Sequence, residues 1–197
     1  MTKIIVATKN EGKVKEINEL LKGCGFNVLS LKDAGIDIEI DENGTTFKEN
    51  SLIKARAIHN LTGEIVIADD SGLEIDYLNG EPGIRSARFM GDLPYSERNK
   101  QILELLKDVP KERRTARFKC VASLVSNSLE KSYSGTLEGR IADKIQGTNG
   151  FGYDPIFYVP EYNMTLAQLD TDIKNKISHR GKAFKLLVED IKKLELL

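Results

Sequence analysis

The chain has 197 residues, 40% of them hydrophobic, and its 29 lysines and arginines nearly balance 30 aspartates and glutamates. This length suits a single domain, 1–197, and the near-zero net charge argues against binding a nucleic acid polymer or a membrane by bulk charge. The N-terminal residues lack a signal-peptide core and no apolar run is long enough to span a membrane, so we expect a soluble, cytoplasmic protein. Cys24 and Cys120 lack metal-site spacing and are expected to be free thiols.

Helices and strands are both predicted, and they are mixed along the chain. Apolar runs and alternation predict strands at 4–7, 26–29, 65–68, 73–77, 116–126, 132–141 and 156–159. Helical spacing of apolar residues and capping signals predict helices at 11–22, 46–61, 96–107 and 180–194. An acidic loop is expected at 32–45, and irregular structure at 160–177. Because the two longest strands should form a hairpin, we expect an α/β fold whose central sheet is mixed, partly antiparallel and flanked by helices.

Two adjacent carboxylates, Asp69 and Asp70, follow directly on the apolar residues 65–68, and Ser71 and Gly72 come next. Burial and mutual repulsion disfavour two neighbouring anions at the end of a buried strand. A divalent cation or a catalytic proton transfer would offset that cost, whereas a simple Asp-Ser-Gly turn would need neither. From this stretch alone, both a turn and an acidic site remain open.

A polar turn between the first strand and the first helix has the residue types of an anion site. It contains Thr8, Lys9, Asn10 and, in the first helical turn, Lys13. The unpaired amides and the dipole of the helix start could meet one phosphate together with these side chains. The spacing is not that of a Walker A loop, and a solvated turn is the alternative.

The acidic loop could supply a second carboxylate for a hard cation. Glu42 lies four residues before Thr46, which is predicted to cap the second helix. Mg²⁺ takes oxygen ligands and keeps several waters, so one or two carboxylates with substrate phosphates suffice. Asp41 and Glu39 are alternatives that the spacing does not exclude.

A glycine-rich loop at 147–152 leads into two aromatic residues and a carboxylate. Phe151 and Tyr153 could offer a stacking surface for a base, and Asp154 could accept hydrogen bonds from it. The glycines, including Gly152, would let the backbone approach a ligand closely. A structural turn with packed aromatic rings is the alternative.

A cationic cluster precedes the last helix. It comprises Lys174, His179 and Arg180, whose side chains could contact phosphate or carbonyl oxygens. A helix cap with surface charge would have the same composition. His59, the other histidine, is expected to be structural. Taken together, the clusters offer cations for phosphates, carboxylates for a metal, and aromatic rings for a base, which is the inventory of a nucleoside triphosphate site.

In this order along the chain, the motifs resemble the inosine/xanthosine triphosphate pyrophosphatases, a family that hydrolyses non-canonical purine nucleoside triphosphates. The resemblance covers nearly the whole chain. Its motifs are Thr8-Lys9-Asn10 with Lys13; Gly44; Thr46-Phe47 and Glu49-Asn50 with Lys54-Ala55; ADDSGL at 68–73; Pro82-Gly83 with Ser86-Ala87-Arg88; GFGYDP at 150–155; and ISHRG at 177–181. Two positions depart from it. Asn149 stands where a glycine is usual, which should be mild because Asn tolerates left-handed conformations, and Ser51 stands where Ala is usual.

The resemblance implies a Mg²⁺-dependent enzyme that converts ITP, dITP and XTP to the monophosphate and pyrophosphate. It further implies a homodimer whose subunit has two lobes with a cleft between them. It implies Asp70 as catalytic base and metal contact, with Glu42 as the second metal ligand. Substrate contacts are implied for Thr8, Asn10, Lys13, Ser71, Phe151, Tyr153, Asp154, Lys174, His179 and Arg180. Lys9, Lys54 and Gly152 are further candidates for substrate contacts.

We expect water to attack the α-phosphorus, deprotonated by Asp70, while Lys13 and Lys54 stabilise the leaving pyrophosphate. Asp69 is the rival base, but neighbouring residues of a strand point to opposite faces, and the resemblance selects Asp70. Two other functions are considered: a Maf-like pyrophosphatase acting on pyrimidine or other modified nucleotides, and a nucleotide-binding module without catalysis.

Overall fold

The structure is a computed structural model that describes residues 2–193, without the side chain of the last of them. Its strands are β1 (Thr2–Val6), β2 (Phe26–Ser30), β3 (Ile65–Ile75), β4 (Thr115–Val125), β5 (Glu130–Ile141), β6 (Phe157–Val159) and β7 (Met164–Thr165). Its α-helices are α1 (Glu11–Leu21), α2 (Phe47–Thr62), α3 (Tyr95–Leu105), α4 (Thr171–Ile177) and α5 (His179–Lys193). Within this described part, no helix combines the length and apolarity needed to cross a bilayer.

The strands form one sheet of order β2-β1-β3-β4-β5-β6-β7. β1 pairs in parallel with β2 and β3, whereas β6 pairs antiparallel with β5 and β7. The parallel part follows from the helical crossovers α1 and α2, which return the chain to the same end of the sheet. The predicted fold class, a mixed α/β sheet flanked by helices, is therefore confirmed.

Two sequence predictions about elements need correction. β3 is one strand from Ile65 to Ile75, so the expected break at Ser71 and Gly72 does not occur. Local turn propensity is overridden there, because the sheet continues and the adjoining carboxylates have charged partners. The region 160–177 contains β7 and α4 rather than irregular structure alone. Leu194, the predicted end of the last helix, lies outside the described residues.

The described chain divides into two compact units. Unit 1 comprises the residues up to Asp70, Cys120–Gly135 and the residues from His179 onward. Alternate residues of β1 face two separate cores in this unit. Ile4 and Val6 join α1 and α5, whereas Ile5 joins α2.

Unit 2 comprises Ser71–Lys119 and Thr136–Ser178. Its core joins the end of β3 to α3 and to residues of β4, β5 and β6, with Leu73, Ile102 and Phe157 fully buried. Unit 1 therefore carries the turn after β1, the acidic loop and the paired aspartates, and unit 2 carries the glycine-rich loop.

Candidate active site

The turn after β1 is shaped by its own side chains. Asn10 caps α1, because its Oδ1 accepts a hydrogen bond of 3.1 Å from the Lys13 amide. Thr8 Oγ1 accepts one of 3.2 Å from the Asn10 amide. The exposed Lys9 ammonium pairs with Asp37 at 2.7 Å. The first turn of α1 is thus held in place, and the Lys13 side chain extends from it to Asp69.

Asp69 is fully buried in unit 1 and lies among cations. Its Oδ2 is 3.1 Å from Lys13 Nζ and 3.0 Å from Arg180 Nη2, and Arg180 Nη1 also contacts Glu16 Oε2 at 2.5 Å. Burial opposes ionisation, but Lys13, Arg180 and Lys54 outweigh it and hold the pKa of Asp69 well below its usual range. This carboxylate is a charged anchor: Lys13 and Arg180 both contact its Oδ2, whereas its buried Oδ1 has no hydrogen-bond partner among the described residues.

Asp70 has different partners, as expected for successive positions of a strand. Its Oδ1 lies 3.2 Å from Lys54 Nζ, and its Oδ2 accepts a hydrogen bond of 3.3 Å from Asn50 Nδ2. Burial raises the pKa of Asp70 above its usual value, although Lys54 and Lys13 act in the opposite direction. A raised pKa brings a carboxylate closer to the working pH, which suits a general base.

Lys54 connects Asp70 to the acidic loop. Its Nζ is 2.8 Å from Glu42 Oε2, and its side chain is only 10% exposed. Burial tends to lower the pKa of Lys54, but the carboxylates of Asp70, Asp69 and Glu42 raise it overall, so the ammonium stays charged.

The structure also separates the three candidate carboxylates of the acidic loop. Ile36, Ile38 and Ile40 pack against the core beside α2, which leaves Glu39 and Asp41 exposed. Glu42 continues the inward series and is partly buried. The alternation of apolar residues, a period of two, is the signal in the sequence that distinguishes Glu42 from its neighbours.

The two predicted metal ligands, Glu42 and Asp70, are bridged by the Lys54 ammonium. Carboxylate oxygens suit Mg²⁺, which can complete its shell with water and substrate oxygens. Among residues 2–193, no group of three or more His, Cys, Asp or Glu side chains could hold a metal ion. The donor set fits a cation that shares these two carboxylates with Lys54 and needs the substrate to complete its coordination.

A second polar cluster lies in the glycine-rich loop of unit 2. Asp154 Oδ2 accepts a hydrogen bond of 2.9 Å from the Phe151 amide and lies 2.5 Å from Lys174 Nζ. That ammonium is 5.3 Å from the centroid of the Phe151 ring, within cation–π range. Gly150 has a positive φ of 76°, and any side chain there would collide with the Asp154 carboxylate and the Lys174 ammonium.

Tyr153 and Gly152 face the interior of unit 2. The Tyr153 hydroxyl donates a hydrogen bond of 2.8 Å to the Ser86 carbonyl, and its ring packs edge-on against Tyr95 at a centroid distance of 5.1 Å. Burial, with the nearby Tyr95, raises the pKa of Tyr153 to about 12. Asn99 Nδ2 donates to the Gly152 carbonyl at 3.1 Å. Phe151, which is partly buried, is the more accessible aromatic ring of the loop.

Asn149, the departure from the family motif, keeps a negative φ. Its side chain donates a hydrogen bond of 3.0 Å to the Leu169 carbonyl, and its amide donates one to the Ala167 carbonyl. Asn149 therefore does not adopt the left-handed conformation on which the sequence prediction relied. The side chain instead adds a tie between the loop and the segment before α4.

The predicted site residues fall into the two units. Those in unit 1 are Thr8, Lys9, Asn10, Lys13, Glu42, Lys54, Asp70, His179 and Arg180. Those in unit 2 are Ser71, Phe151, Gly152, Tyr153, Asp154 and Lys174. Of these, Lys54, Asp70, Lys174, Tyr153, Asp154, His179 and Arg180 are buried.

Among the residues missing from the predicted site, Glu16 contacts Arg180 and Asn50 contacts Asp70. Glu16 lies three positions after Lys13 on α1, so helical spacing places both on one face. Asn50 follows Glu49 in a family motif, and its burial at 1% exposure is the observation that marks it. Predicting its contact with Asp70 required the position of α2 relative to β3.

Comparison with known proteins identifies the family. The model of the Ham1 family matches residues 4–190. The chain belongs to the Ham1 family. The dITP/XTP pyrophosphatase of Desulforamulus reducens is 48% identical over 195 residues, covering 98% of this chain and 96% of that protein. The protein of the same name from Caldanaerobacter subterraneus is 49% identical over 198 residues, covering 99% of each. The family predicted from the motifs is thereby confirmed.

Solved structures agree with this membership. The Ham1 protein of Staphylococcus aureus superposes with a TM-score of 0.86 at 39% identity, covering 98% of this chain and 99% of that one. A HAM1 protein from Coxiella burnetii gives 0.87 at 40% identity, covering 98% and 100%. The fold of the described residues is therefore the fold of Ham1 proteins.

Proposed function

We propose that this Ham1-family chain hydrolyses non-canonical purine nucleoside triphosphates, namely ITP, dITP and XTP, to the monophosphate and pyrophosphate. The observation that carries the proposal is the identity of 48% and 49%, over nearly the full length, with relatives named dITP/XTP pyrophosphatase. The two polar clusters supply complementary chemistry, since one is rich in cations and carboxylates and the other carries an aromatic ring.

The phosphate groups are assigned to unit 1. Thr8, Lys9 and Asn10 belong to the turn that opens α1, and an N-terminal helix turn with positive side chains favours an anion. Lys13 and Lys54 carry the positive charge that would stabilise the leaving pyrophosphate. Both ammonium groups are now paired with carboxylates, so they would exchange an aspartate oxygen for a phosphate oxygen when substrate binds.

Asp70 is assigned as the base that takes the proton of the attacking water. Its raised pKa and its two fixed oxygens support this role. The water would attack the α-phosphorus in line with the departing pyrophosphate, and the proton would move to a carboxylate oxygen of Asp70. Asp69 is a poor alternative, because Arg180 and Lys13 lower its pKa and so make it a weaker base than Asp70.

Glu42 and Asp70 would hold Mg²⁺. When bound, such an ion neutralises phosphate charge and lowers the pKa of coordinated water. Ser71, the neighbour of Asp70 on β3, would contribute its hydroxyl to the phosphate side.

The base is assigned to the glycine-rich loop. Phe151 would stack on the purine, while Asp154 and Lys174 would form the polar edge of its pocket with Gly152 and Tyr153 supporting the loop. Inosine and xanthine present O6 as an acceptor, whereas adenine presents an amino group. A donor from His179 or Arg180 would therefore favour the first two and disfavour adenine. We also propose that the protein is cytoplasmic and, from the family resemblance, that it is a homodimer.

A nucleotide panel tests this function. ITP, dITP, XTP, GTP, ATP and a pyrimidine triphosphate are each incubated with the protein and Mg²⁺, or with EDTA, and pyrophosphate release is measured. We expect the first three to be hydrolysed best, and only with Mg²⁺. Preference for the pyrimidine would favour a Maf-like enzyme, and binding without turnover would favour a non-catalytic module; either result, or ATP as the best substrate, would reject the proposal.

A further inference from the structure

Two residues of α2, one helical turn apart, hold the two oxygens of Asp70 separately. Asn50 Nδ2 donates to Oδ2 at 3.3 Å, and Lys54 Nζ pairs with Oδ1 at 3.2 Å. Residues four apart on a helix lie on the same face, so both partners reach the carboxylate from one rigid surface. The plane of the Asp70 carboxylate is thus defined by α2 and not only by its own strand.

The same two residues of α2 hold the acidic loop. Asn50 Oδ1 accepts a hydrogen bond of 2.9 Å from the Gly44 amide, and Lys54 Nζ pairs with Glu42 at 2.8 Å. The loop and Asp70 are therefore linked through one amide and one ammonium.

An asparagine can bind the Asp70 carboxylate and the Gly44 amide at the same time, because its planar side-chain amide carries both a donor and an acceptor. Asn50 is only 1% exposed, so water cannot replace a hydrogen-bond partner that its amide loses. Loss of either hydrogen bond is therefore costly in free energy. Gly44 is part of the same fit. A Cβ at this position would lie 2.6 Å from Asn50 Oδ1 and 2.7 Å from Glu49 Cβ.

We propose that Asn50 is a positioning residue for the reaction: its amide orients Asp70 and sets the acidic loop that carries Glu42. The inference rests on the proposed function, in which Asp70 acts as the base. Asn50 contacts neither the water nor the phosphorus in this scheme. Its removal should lower kcat more than it weakens substrate binding, because misorientation of a reacting group affects the transition state selectively.

Three variants test this role. Asn50→Ala removes both bonds. Asn50→Asp has nearly the same shape and keeps the acceptor for the Gly44 amide, but it loses the donor to Asp70 and places a second carboxylate beside it. Ser51→Ala is the matched control: Ser51 is the next residue of α2, is equally buried, and forms a hydrogen bond of 2.6 Å to Ser123 Oγ away from the carboxylates.

We expect kcat for dITP to fall about 10- to 100-fold in both Asn50 variants, with KM changed less than about threefold. Ser51→Ala should keep kcat within about twofold, although its melting temperature falls, because only the packing of α2 is affected. Kinetics are measured per mole of folded protein, which circular dichroism and thermal melts determine.

Failure of the proposed function and failure of the inference about Asn50 would give different results. If the unmodified protein does not hydrolyse dITP, the proposed function fails. If it does, and Asn50→Asp keeps normal kcat, the donor to Asp70 is not needed and the inference is overturned. A loss of kcat in Ser51→Ala as large as in the Asn50 variants would also overturn it, because any disturbance of α2 would then suffice.

Discussion

The Asp70 cluster of unit 1 and the Asp154 cluster of unit 2 each place a buried carboxylate against a lysine, but they are built differently. Asp70 and Lys54 share their contacts with Glu42 and Asn50, all of them side chains. Asp154 instead binds Lys174 and a backbone amide within its own loop. Under the proposed function, the first cluster exchanges partners when substrate binds, whereas the second keeps its contacts with the loop amide and with Lys174 of α4.

This difference matches the two tasks proposed for them. Proton transfer needs a carboxylate whose protonation can change, and burial has raised the pKa of Asp70. Recognition of a base needs a preformed shape, and Gly150 leaves no room for a side chain beside Asp154 and Lys174. We therefore expect substitutions in the Asp70 cluster to lower kcat and substitutions in the Asp154 cluster to raise KM.

The largest expected effect is on the rate, from Asp70→Asn. Removing the base should lower kcat for ITP or dITP by about 100- to 10,000-fold, because the water then has no group to accept its proton. Binding of the nucleotide, measured by calorimetry, should persist. Turnover close to that of the unmodified protein would reject Asp70 as the base.

The next effect is on stability, from Asp69→Asn. Lys13 and Arg180 would lose their buried counter-charge, which should cost about 3–5 kcal/mol in the free energy of unfolding at pH 7. Urea denaturation measures it. Asp37→Asn, which breaks an exposed pair with Lys9, is the control and should leave the unfolding midpoint unchanged.

The contribution of Asp69 to the free energy of unfolding should depend on pH. The pKa of Asp69 is lower in the folded state than in the unfolded chain, where it is about 3.9. Asp69 therefore contributes stability that is present above pH ~4 and is lost as the pH falls towards its folded pKa. The variant should show a weaker loss of stability on acidification, and an unchanged acid profile would contradict the ion pair.

A third prediction concerns unit 2. Lys174→Gln removes the cation beside Asp154 and Phe151, so KM for ITP should rise about tenfold or more while kcat changes little. Lys176→Gln, on the same helix but exposed, is the matched control. A fall in kcat with unchanged KM would assign Lys174 to the chemistry rather than to the base.

The smallest effect is expected from Asn149→Gly, which restores the usual motif of the family. The variant loses the side-chain hydrogen bond to the Leu169 carbonyl, so stability should fall by about 0.5–1.5 kcal/mol. Kinetic constants should not change. A thermal melt measures the loss, and a more stable variant would show that the asparagine contact contributes nothing.

Features encoded within short stretches could be predicted from the sequence. Thr46 caps α2 as expected, with its Oγ1 accepting from the Glu49 amide at 3.1 Å. The mixed sheet and the separate partners of Asp69 and Asp70 also agree with expectation. Each depends on residue spacing or on the alternation of a strand, which act over a few residues.

Features that depend on distant parts of the chain could not be predicted. Asp-Ser-Gly favours a turn locally, yet Ser71 and Gly72 continue β3 because neighbouring strands and charges decide the outcome. The helix α4 has only seven residues, too few for a clear apolar pattern. The contact of Asn50 with Asp70 depends on how α2 packs against the sheet, which no local pattern encodes.

The ion pairs of Arg180 have a consequence for how the protein is made. Arg180 reaches Asp69 across 111 positions and Glu16 across 164, and α5 also supplies Phe184 and Leu187 to the core of unit 1. A ribosome delivers the N-terminal part first, so α1 and β3 emerge well before their last partner. Until α5 has left the exit tunnel, the nascent unit lacks both a counter-ion of Asp69 and a side of its core, so unit 1 cannot complete its assembly before α5 has been synthesised.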